Sequence, residues 1–334
     1  MEVCGTHTMA IHRAGLHSVL PENVRLLSGP GCPVCVTPVS VIDTAVGMAR
    51  EYGVTIATFG DMIRVPGSEC SLAGLRSEGH HIEVVYSPLD AVRIAADNPG
   101  KKIVFLAVGF ETTAPAVAAS ILQARAENVI NFSIVAAHKL VIPALELLVA
   151  DRKIAVDGFI LPGHVSVVLG AEPYRFLAEK HGRACVVTGF EAADIIQGLL
   201  MLLEQIRSGK FSVEIQYSRA VRPEGNPRAR EMIDRIFEPV DTEWRGFGVI
   251  TASGLALREN ITDMDALRRF PLKETITPAV TGCRCGEVLR GRIIPSDCGL
   301  FGVSCNPDHP VGPCMVSGEG TCAAYYRYSR KKGG

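Results

Sequence analysis

The chain has 334 residues, of which 47% are hydrophobic and 21% are charged, and its formal net charge is -1. This length predicts two or three domains. The net charge gives no electrostatic support to binding of nucleic acid or of anionic membranes, and the apolar runs are shorter than the roughly 18 residues of a membrane span. Because no secretory pattern precedes the first cysteine, we expect a cytoplasmic protein whose cysteines are reduced, catalytic or metal-bound.

Residues 1–250 alternate short β-branched apolar runs with amphipathic stretches, which is typical of α/β units around parallel sheets. Helices are expected between most of the strands. The clearest runs from about Val39 to Tyr52, with Thr37 as N-cap, Pro38 at the first helical position and Gly53 at its end. The predicted strands are Val54–Phe59, Ile82–Tyr86, Lys102–Gly109, Phe132–Ala136, Gly158–Leu161, Cys185–Thr188 and Val213–Tyr217, and further helices are expected after Thr112–Thr113, Glu191 and Asn226–Pro227.

A weak internal repeat indicates two related halves. Val108-Gly109-Phe110-Glu111 resembles Thr188-Gly189-Phe190-Glu191, and each segment ends a predicted strand and opens a predicted helix. We therefore predict an α/β protein with two Rossmann-like parallel-sheet domains, over residues 1–131 and 132–250, which are free to exchange strands. A small cysteine-rich module is predicted over residues 251–334.

Two cysteine motifs lie where ligand sites of open α/β sheets collect, at the carboxyl ends of strands. One is Cys4-Gly5-Thr6-His7, and the other is Gly29–Cys35, which contains Cys32 and Cys35. A helix N-terminus favours a thiolate, so we expect Cys32 and Cys35 to ionise more easily than an ordinary thiol and to react faster than Cys185. With Cys4 they could face one cleft. The alternative is half of a structural zinc site.

Other polar residues at strand ends allow either a structural or a functional interpretation. His7 is a candidate site residue but could be an ordinary core histidine. Glu111 is a second candidate, although a helix N-terminal carboxylate that binds backbone amides explains it equally well. In isolation, His138-Lys139 and Pro162-Gly163-His164 are best interpreted as loop features. Cys70 and Cys185 have no neighbouring cysteine and are predicted to be inert buried thiols.

Six of the 11 cysteines lie in the last part of the chain, in a Gly- and Pro-rich segment with little periodicity: Cys283, Cys285, Cys298, Cys305, Cys314 and Cys322. Such a segment needs a covalent or metal staple. Zinc is the simplest candidate, but the spacings favour an iron–sulfur cluster, which leaves two thiols as a possible redox pair. An extended Cys283-Arg284-Cys285 would turn its two thiols to opposite sides, so we expect only one of them to bind the cluster.

Together these motifs resemble those of the HypD family, the maturation factors of nickel–iron hydrogenases. The resemblance covers nearly the whole chain and rests on Cys4–His7, Gly29–Cys35, Gly109–Pro115, Pro162–Ser166 and the cysteine-rich segment from Gly282–Cys285 to Gly312–Ser317. Members of this family usually carry a few tens of residues before the first motif, so we expect either a misassigned start or a fragment.

The resemblance implies a function. HypD-like proteins bind the small chaperone HypC, and on this complex an iron atom acquires two cyanides and one carbon monoxide before delivery to the hydrogenase large subunit. HypE donates the cyanide after HypF has modified its cysteine. Carried over to this chain, Cys4 is the iron ligand with His7 beside it, and Cys32 and Cys35 are the neighbouring redox pair. Whether the protein turns over as an enzyme or serves as a scaffold stays open.

The cysteine module also resembles the cluster-binding part of ferredoxin:thioredoxin reductase. This similarity implies a [4Fe–4S] cluster held by Cys283, Cys298, Cys305 and Cys322, with Cys285 and Cys314 as the adjacent redox disulfide. Spacing leaves open an exchange of Cys283 with Cys285, or of Cys314 with Cys322. A stand-alone disulfide reductase and a structural zinc module are the alternative functions.

Overall fold

The computed structural model describes residues 1–151, 153–273 and 282–329. Within these ranges, no helix combines the length and the apolar character needed to cross a membrane. The strands are β1 (Thr55–Thr58), β2 (Ile82–Val84), β3 (Ile103–Ala107), β4 (Phe132–Ala136), β5 (Gly158–Pro162), β6 (Ala184–Thr188), β7 (Val213–Ile215), β8 (Phe237–Trp244) and β9 (Gly248–Leu257).

The helices between and after these strands vary from 4 to 17 residues. They are α1 (Gly5–Arg13), α2 (Pro33–Val36), α3 (Val39–Tyr52), α4 (Leu72–Ser77), α5 (Pro88–Asp97), α6 (Ala114–Ala126), α7 (Val141–Ala150), α8 (Gly163–Leu169), α9 (Arg175–Glu179), α10 (Ala192–Ser208), α11 (Pro227–Ile236), α12 (Ala266–Arg269), α13 (Cys285–Leu289) and α14 (Thr321–Ala324).

The chain forms two compact units, each assembled from separate stretches. Unit 1 comprises Met1–Val36, Val141–Pro227 and Gly282–Gly334, and unit 2 comprises Thr37–Leu140 and Arg228–Thr281. Discontinuous units are what an exchange of strands would produce. The boundaries at residues 131 and 250 stay a prediction, and residues 274–281 and 330–334 of the predicted module lie outside the described residues.

Unit 1 contains the parallel sheet β5-β6-β7. The first residues of the chain extend it, because the Ile160 N–H donates to the Met1 carbonyl (2.9 Å) and the Glu2 N–H donates to the Leu27 carbonyl (2.8 Å). One face of the sheet is covered by α1 and α10, whose buried Ile11 and Ile195 pack in one apolar cluster with Ile160 and Val186. Burial of these side chains stabilises the sheet edge from which the cysteine motifs emerge.

Unit 2 contains the four-stranded sheet β2-β1-β3-β4, in which every pair is parallel. The long antiparallel hairpin β8-β9 joins it after β4, where the Leu140 N–H donates to the Ser253 carbonyl (2.9 Å). Strand β3 is buried along its whole length, as expected for a parallel strand covered on both faces.

The predicted α/β class with parallel sheets is confirmed, and each predicted strand has a counterpart with small differences at its ends. Helix α3 has the predicted bounds, and Gly53 ends it with φ 61°. The predicted cap was wrong, because Pro38 is extended (φ -68°, ψ 156°) and itself holds the N-cap position. Helices α6 and α10 begin after Thr113 and Glu191 as predicted, whereas α11 begins at Pro227 itself.

Candidate functional site

Cys4 and Cys32 leave the sheet of unit 1 at neighbouring positions. The Gly5 N–H donates to the Gly31 carbonyl (2.9 Å), and a Cβ on Gly31 would lie only 2.1 Å from the Cys4 nitrogen. A Cβ on Gly5 would lie 3.2 Å from the Cys32 Cβ. Glycine at residue 31 therefore permits the close approach of the two cysteine segments.

Cys4 holds the N-cap position of α1. Its sulfur makes no capping hydrogen bond, but the N–H groups of His7 and Thr6 lie close enough to lower the pKa of its thiol. Burial outweighs them and, together with the charges of Glu319 and Glu2, raises this pKa to about 12. The Cys4 thiol is therefore protonated at neutral pH.

The two carboxylates approach Cys4 from different parts of the chain. Glu2 accepts the Cys4 N–H (3.0 Å), and burial raises the pKa of the Glu2 carboxyl to about 7. Glu319 accepts the hydroxyl of Thr6 (2.7 Å). A thiolate among these groups is repelled, whereas a divalent cation is attracted. Sequence reasoning missed Glu319, and the only signal that could have found it is its place three residues before Cys322.

His7 is fully buried, and its Nε2 lies 2.9 Å from both the Gly189 carbonyl and the Thr188 hydroxyl. Because a carbonyl only accepts, Nε2 carries the proton and donates to Gly189. Burial lowers the pKa of the ring to about 4, so His7 is neutral at pH 7. Its Nδ1 is a buried acceptor without a hydrogen-bond partner. His7 is therefore a core histidine in which one of the two ring nitrogens is hydrogen-bonded.

An aromatic stack extends from His7 to His164. The His7 ring lies 4.7 Å from the Phe190 ring, and Phe190 lies 3.9 Å from His164, both in stacked arrangements. His164 was interpreted as a loop feature, but it opens the first turn of α8 at the carboxyl end of β5. Burial lowers the pKa of His164, and the nearby Glu319 carboxylate opposes this effect. His164 therefore belongs to the surroundings of Cys4.

Cys32 and Cys35 form a close pair. The Cys35 thiol donates to the Cys32 sulfur, with 2.7 Å between the two Sγ atoms, and the Cys35 N–H donates to the same sulfur (3.3 Å). Easier ionisation was expected for both residues, but it does not hold for Cys35. That residue lies inside the four-residue helix α2 and is completely buried, and burial raises the pKa of its thiol well above the usual value.

Cys314 connects this pair to the cysteine module. The thiols of Cys285 and Cys35 both hydrogen-bond to Cys314 and lower the pKa of its thiol against the effect of burial. Cys314 therefore carries the thiolate more readily than Cys35 does. Cys32, Cys35, Cys314 and Cys285 form a continuous line of sulfur contacts, which sequence spacing could not indicate.

All six cysteines of the module line one cavity, together with apolar side chains such as Phe301 and Met315. A Cβ on Gly312 would lie 2.6 Å from the Cys283 sulfur, and the Cys305 sulfur accepts the Val311 N–H (3.4 Å). Burial raises the pKa of Cys322 well above its usual value, and charges on Cys283, Cys285, Cys305 and Cys298 add to this effect.

The donor set fits an iron–sulfur cluster, because it consists of six cysteine sulfurs around one cavity. Within the described ranges, no group of three or more His, Cys, Asp or Glu side chains is arranged to hold one metal ion. Thiolates that bind the separate irons of a cubane surround a whole cluster instead of one atom. The prediction that Cys283-Arg284-Cys285 is extended was wrong. Arg284 (φ -102°, ψ 25°) is the N-cap of α13, and Cys285 is the first residue of this helix.

The remaining residues singled out from the sequence are Glu111, Cys185 and Cys70. Glu111 belongs to unit 2, where it is buried after β3 and precedes α6, whose N-cap is Thr113. Cys185 is fully buried as predicted, and burial raises the pKa of its thiol to about 12. Cys70 is only partly buried, and its sulfur accepts from the Arg50 guanidinium (3.7 Å), so the expected burial was wrong.

Comparison with known proteins gives a consistent result. Residues 1–329 match the family model HypD, described as the hydrogenase formation hypA family. The chain is 45% identical to hydrogenase maturation factor HypD2 of Bradyrhizobium diazoefficiens, over 99% of this chain and 89% of that protein. It is 45% identical to the putative hydrogenase expression/formation protein MJ0993 of Methanocaldococcus jannaschii (99% and 92%) and 44% identical to HypD of Escherichia coli K12 (99% and 89%).

Proposed function

Since this chain belongs to the HypD family and is a hydrogenase maturation factor, we propose that it is the scaffold on which the Fe(CN)2CO unit of a nickel–iron hydrogenase is assembled. HypC is the proposed partner in holding the iron, and HypE is the proposed cyanide donor. The hydrogenase large subunit receives the product, and the assembly takes place in the cytoplasm. The observation that carries this proposal is the line of sulfur contacts Cys32–Cys35–Cys314–Cys285 in unit 1.

Cys4 is the proposed protein ligand of the substrate iron. Thiolate is a soft ligand that suits low-spin ferrous iron rich in cyanide and carbonyl better than a carboxylate does. The raised pKa of the Cys4 thiol means that iron binding releases a proton, and the charges of Glu2 and Glu319 favour the dication over a free thiolate. The Nδ1 atom of His7 is available as a hydrogen-bond acceptor beside this site.

Cys283, Cys298, Cys305 and Cys322 are the residues that would hold a [4Fe–4S] cluster. Their sulfurs line the same cavity, and Cys285 has a separate role because it hydrogen-bonds to Cys314. A bound cluster would supply single electrons to the neighbouring thiols. The apolar lining of the cavity limits access of water to the cysteines that surround it.

The thiols of Cys32, Cys35, Cys314 and Cys285 are arranged for disulfide exchange. Cys314 has a lowered pKa and hydrogen-bonds to Cys35, so its thiolate is suited to attack the Cys35 sulfur of a Cys32–Cys35 disulfide and release the Cys32 thiolate. Cys285 then attacks Cys314 and releases Cys35. One dithiol becomes a disulfide and the other disulfide becomes a dithiol, so two electrons move from Cys285 and Cys314 to Cys32 and Cys35.

Two electrons delivered to Cys32 and Cys35 meet the requirement of the proposed chemistry. Cleaving the bond between sulfur and cyanide in a thiocyanate consumes two electrons and yields cyanide and a thiolate. The close approach of the Cys32 and Cys4 segments brings the reduced pair to the side of the iron ligand. The same dithiol keeps the bound iron ferrous.

Infrared spectroscopy of the complex with HypC, purified anaerobically from cells, tests the proposal. We expect two cyanide bands and one carbonyl band that co-purify with the complex, and loss of the cyanide bands in cells without HypE. A brown protein with the cluster but without these bands would refute the scaffold and support the stand-alone disulfide reductase, which the same line of thiols would also serve. A colourless protein that contains zinc would refute both functions.

A further inference from the structure

The first turn of α1 and the cysteine module are joined by a hydrogen bond that the proposed chemistry does not use. The hydroxyl of Thr6 donates to Glu319 at 2.7 Å, across 313 positions of the chain. The backbone at Gly5 also approaches this residue, since a Cβ there would lie 2.8 Å from the Glu319 Cβ and 3.0 Å from its carbonyl oxygen. Both contacts fix the first turn of α1 against residue 319.

Thr6 transmits this contact to Cys4. Its backbone N–H is one of the two that face the Cys4 sulfur, and its side chain is the donor to Glu319. The direction of the N–H group and the direction of the side chain are set by the same backbone. A shift of Glu319 therefore changes the surroundings of the Cys4 sulfur.

The position of Glu319 depends in turn on the module. The Glu319 N–H donates to the Ser317 hydroxyl (3.2 Å), and the Gly320 N–H donates to the Ser317 carbonyl (3.0 Å). A Cβ on Gly320 would lie 2.3 Å from the Cys314 carbonyl oxygen, so this turn packs directly on the backbone of Cys314. Helix α14, which contains Cys322, begins at the next residue.

The module has little regular structure that could hold this turn in place. Its helices α13 and α14 have five and four residues. Helices of this length are not stable alone, and a segment with a small core takes its order from what its cysteines bind. Ordering of Cys314 and Cys322 therefore determines whether Glu319 is held where Thr6 can reach it.

We propose that Glu319 is a positioning residue that, through Thr6, makes metal binding at Cys4 conditional on the ordered, metal-loaded cysteine module. This inference rests on the proposed role of Cys4 as the ligand of the substrate iron. Because coupling between two binding sites is reciprocal, metal at Cys4 favours the loaded module by the same factor. The scaffold would accept its iron only after the module that reduces the thiols is complete.

The first measurement is the rate at which iodoacetamide alkylates Cys4. It is followed by mass spectrometry on the native protein, with and without the iron of the cysteine module. In wild type and in Thr6→Ser, which keeps the hydroxyl, we expect removal of the module iron to raise the alkylation rate of Cys4 about tenfold. The reason is that the hydrogen bond from residue 6 to the Glu319 carboxylate is then lost. In Thr6→Val we expect the high rate even with the module iron retained. The rate at Cys185 is the internal control.

The second measurement titrates the iron-loaded protein with Co²⁺ under anaerobic conditions and records the thiolate-to-cobalt absorption that is absent in Cys4→Ala. We expect about tenfold weaker binding in Thr6→Val and unchanged binding in Thr6→Ser. Glu319→Gln keeps an acceptor for Thr6 but removes the charge. It should therefore bind cobalt more weakly, whereas the alkylation rate of Cys4 should not fall below that of wild type, because the repelling charge is gone.

Two results would overturn the proposal: a wild-type alkylation rate at Cys4 in iron-loaded Thr6→Val, or a rate in wild type that does not change when the iron is removed. Absence of the Cys4-dependent cobalt absorption in wild type would instead refute Cys4 as a metal ligand. In that case the alkylation rates still decide whether Glu319 positions the first turn of α1.

Discussion

Unit 1 contains two cysteine-bearing regions that are built differently. The edge of its sheet takes its shape from backbone pairing between Met1–Val3, residues 27–29 and β5, and from the apolar cluster beneath it. In the cysteine module, the helices have at most five residues, and the sulfur atoms surround a shared cavity. We therefore expect the sheet edge to form without a metal, and we expect the module to depend on what its cysteines bind.

The difference fits the separate tasks that the proposed function gives to the two regions. A preformed edge would let Cys4 accept and later release the proposed substrate metal without loss of the fold. A module ordered by a bound group would suit the proposed thiol exchange, because that group would keep the sulfur contacts in register. Cys314 is the residue where the two regions meet, through its contact with Cys35.

The largest expected effect separates the two regions completely. Cys4→Ala should abolish iron–cyanide assembly, because no other thiol holds the N-cap position of α1. The iron and the brown absorbance of the module should remain at wild-type levels. Infrared spectra and iron analysis of the same purified sample test both parts, and persistence of the two cyanide bands would remove Cys4 as the iron ligand.

Single serine substitutions test the division of tasks within the module. Serine at Cys283, Cys298, Cys305 or Cys322 should remove most of the iron and the brown absorbance, since a hydroxyl is a poor substitute for a thiolate ligand. Cys285→Ser and Cys314→Ser should keep the cluster but impair cyanide transfer, because they interrupt the line of thiols.

Iron content and visible absorbance of the six purified variants decide which of the six cysteines bind the cluster. Cys185→Ser is a matched control at a buried cysteine of the same unit. Cluster loss in Cys285→Ser or Cys314→Ser, together with retention in one of the four ligand variants, would contradict the assignment.

The regular parts of the fold were predictable from sequence because their signals are local. The β-branched run of β3 and the Gly53 end of α3 lie within a few residues of the features that identify them. The Thr37 cap was wrong because Pro38, with its extended ψ, displaces the start of the helix by one residue. Local patterns therefore predict elements well and their first residues less well.

The site was only partly predictable, because its key contacts join distant parts of the chain. Cys4, His7, Cys32 and Cys35 stand out as motifs, and the structure brings them into unit 1. Glu319 and His164 become recognisable only when the chain has folded, since Glu319 reaches Thr6 across 313 positions. The raised pKa of Cys35 was missed for a similar reason, because burial depends on tertiary packing and outweighs the effect of a short helix.

A smaller effect is expected when the support beneath the sheet edge is weakened. Ile195 in α10 is fully buried in the apolar cluster of unit 1. Ile195→Ala should destabilise this region by about 2–4 kcal/mol, through lost burial and the cavity left behind. Faster amide hydrogen exchange along β5 and β6 would report it, while the iron content of the module stays constant.

Ile196→Ala is the matched control at the neighbouring position, where the side chain is 41% exposed. The free energy of opening that amide hydrogen exchange measures in β5 and β6 should then change by less than about 0.5 kcal/mol. Equal acceleration in the two variants would show that the edge does not depend on this cluster.

The smallest expected effect concerns acid stability where α1 approaches the end of the chain. The His12 ring lies 4.6 Å from the His17 ring and 5.6 Å from the Tyr325 ring. Burial lowers the pKa of His12 from 6.5 to about 4, and the charge of His17 contributes to this shift. The unfolded chain therefore binds a proton at His12 at higher pH than the folded chain does. Stability is lost as the pH falls from about 6.5 toward 4.

His12→Phe keeps the aromatic contacts and removes this proton-binding group. Between pH 7 and pH 5 the variant should lose about 1–2 kcal/mol less stability than wild type, measured by hydrogen exchange of the α1 amides at both pH values. His181→Phe, at an exposed position of the same unit, should leave the difference between the two pH values unchanged. A pH dependence in His12→Phe equal to that of wild type would show that His12 does not contribute.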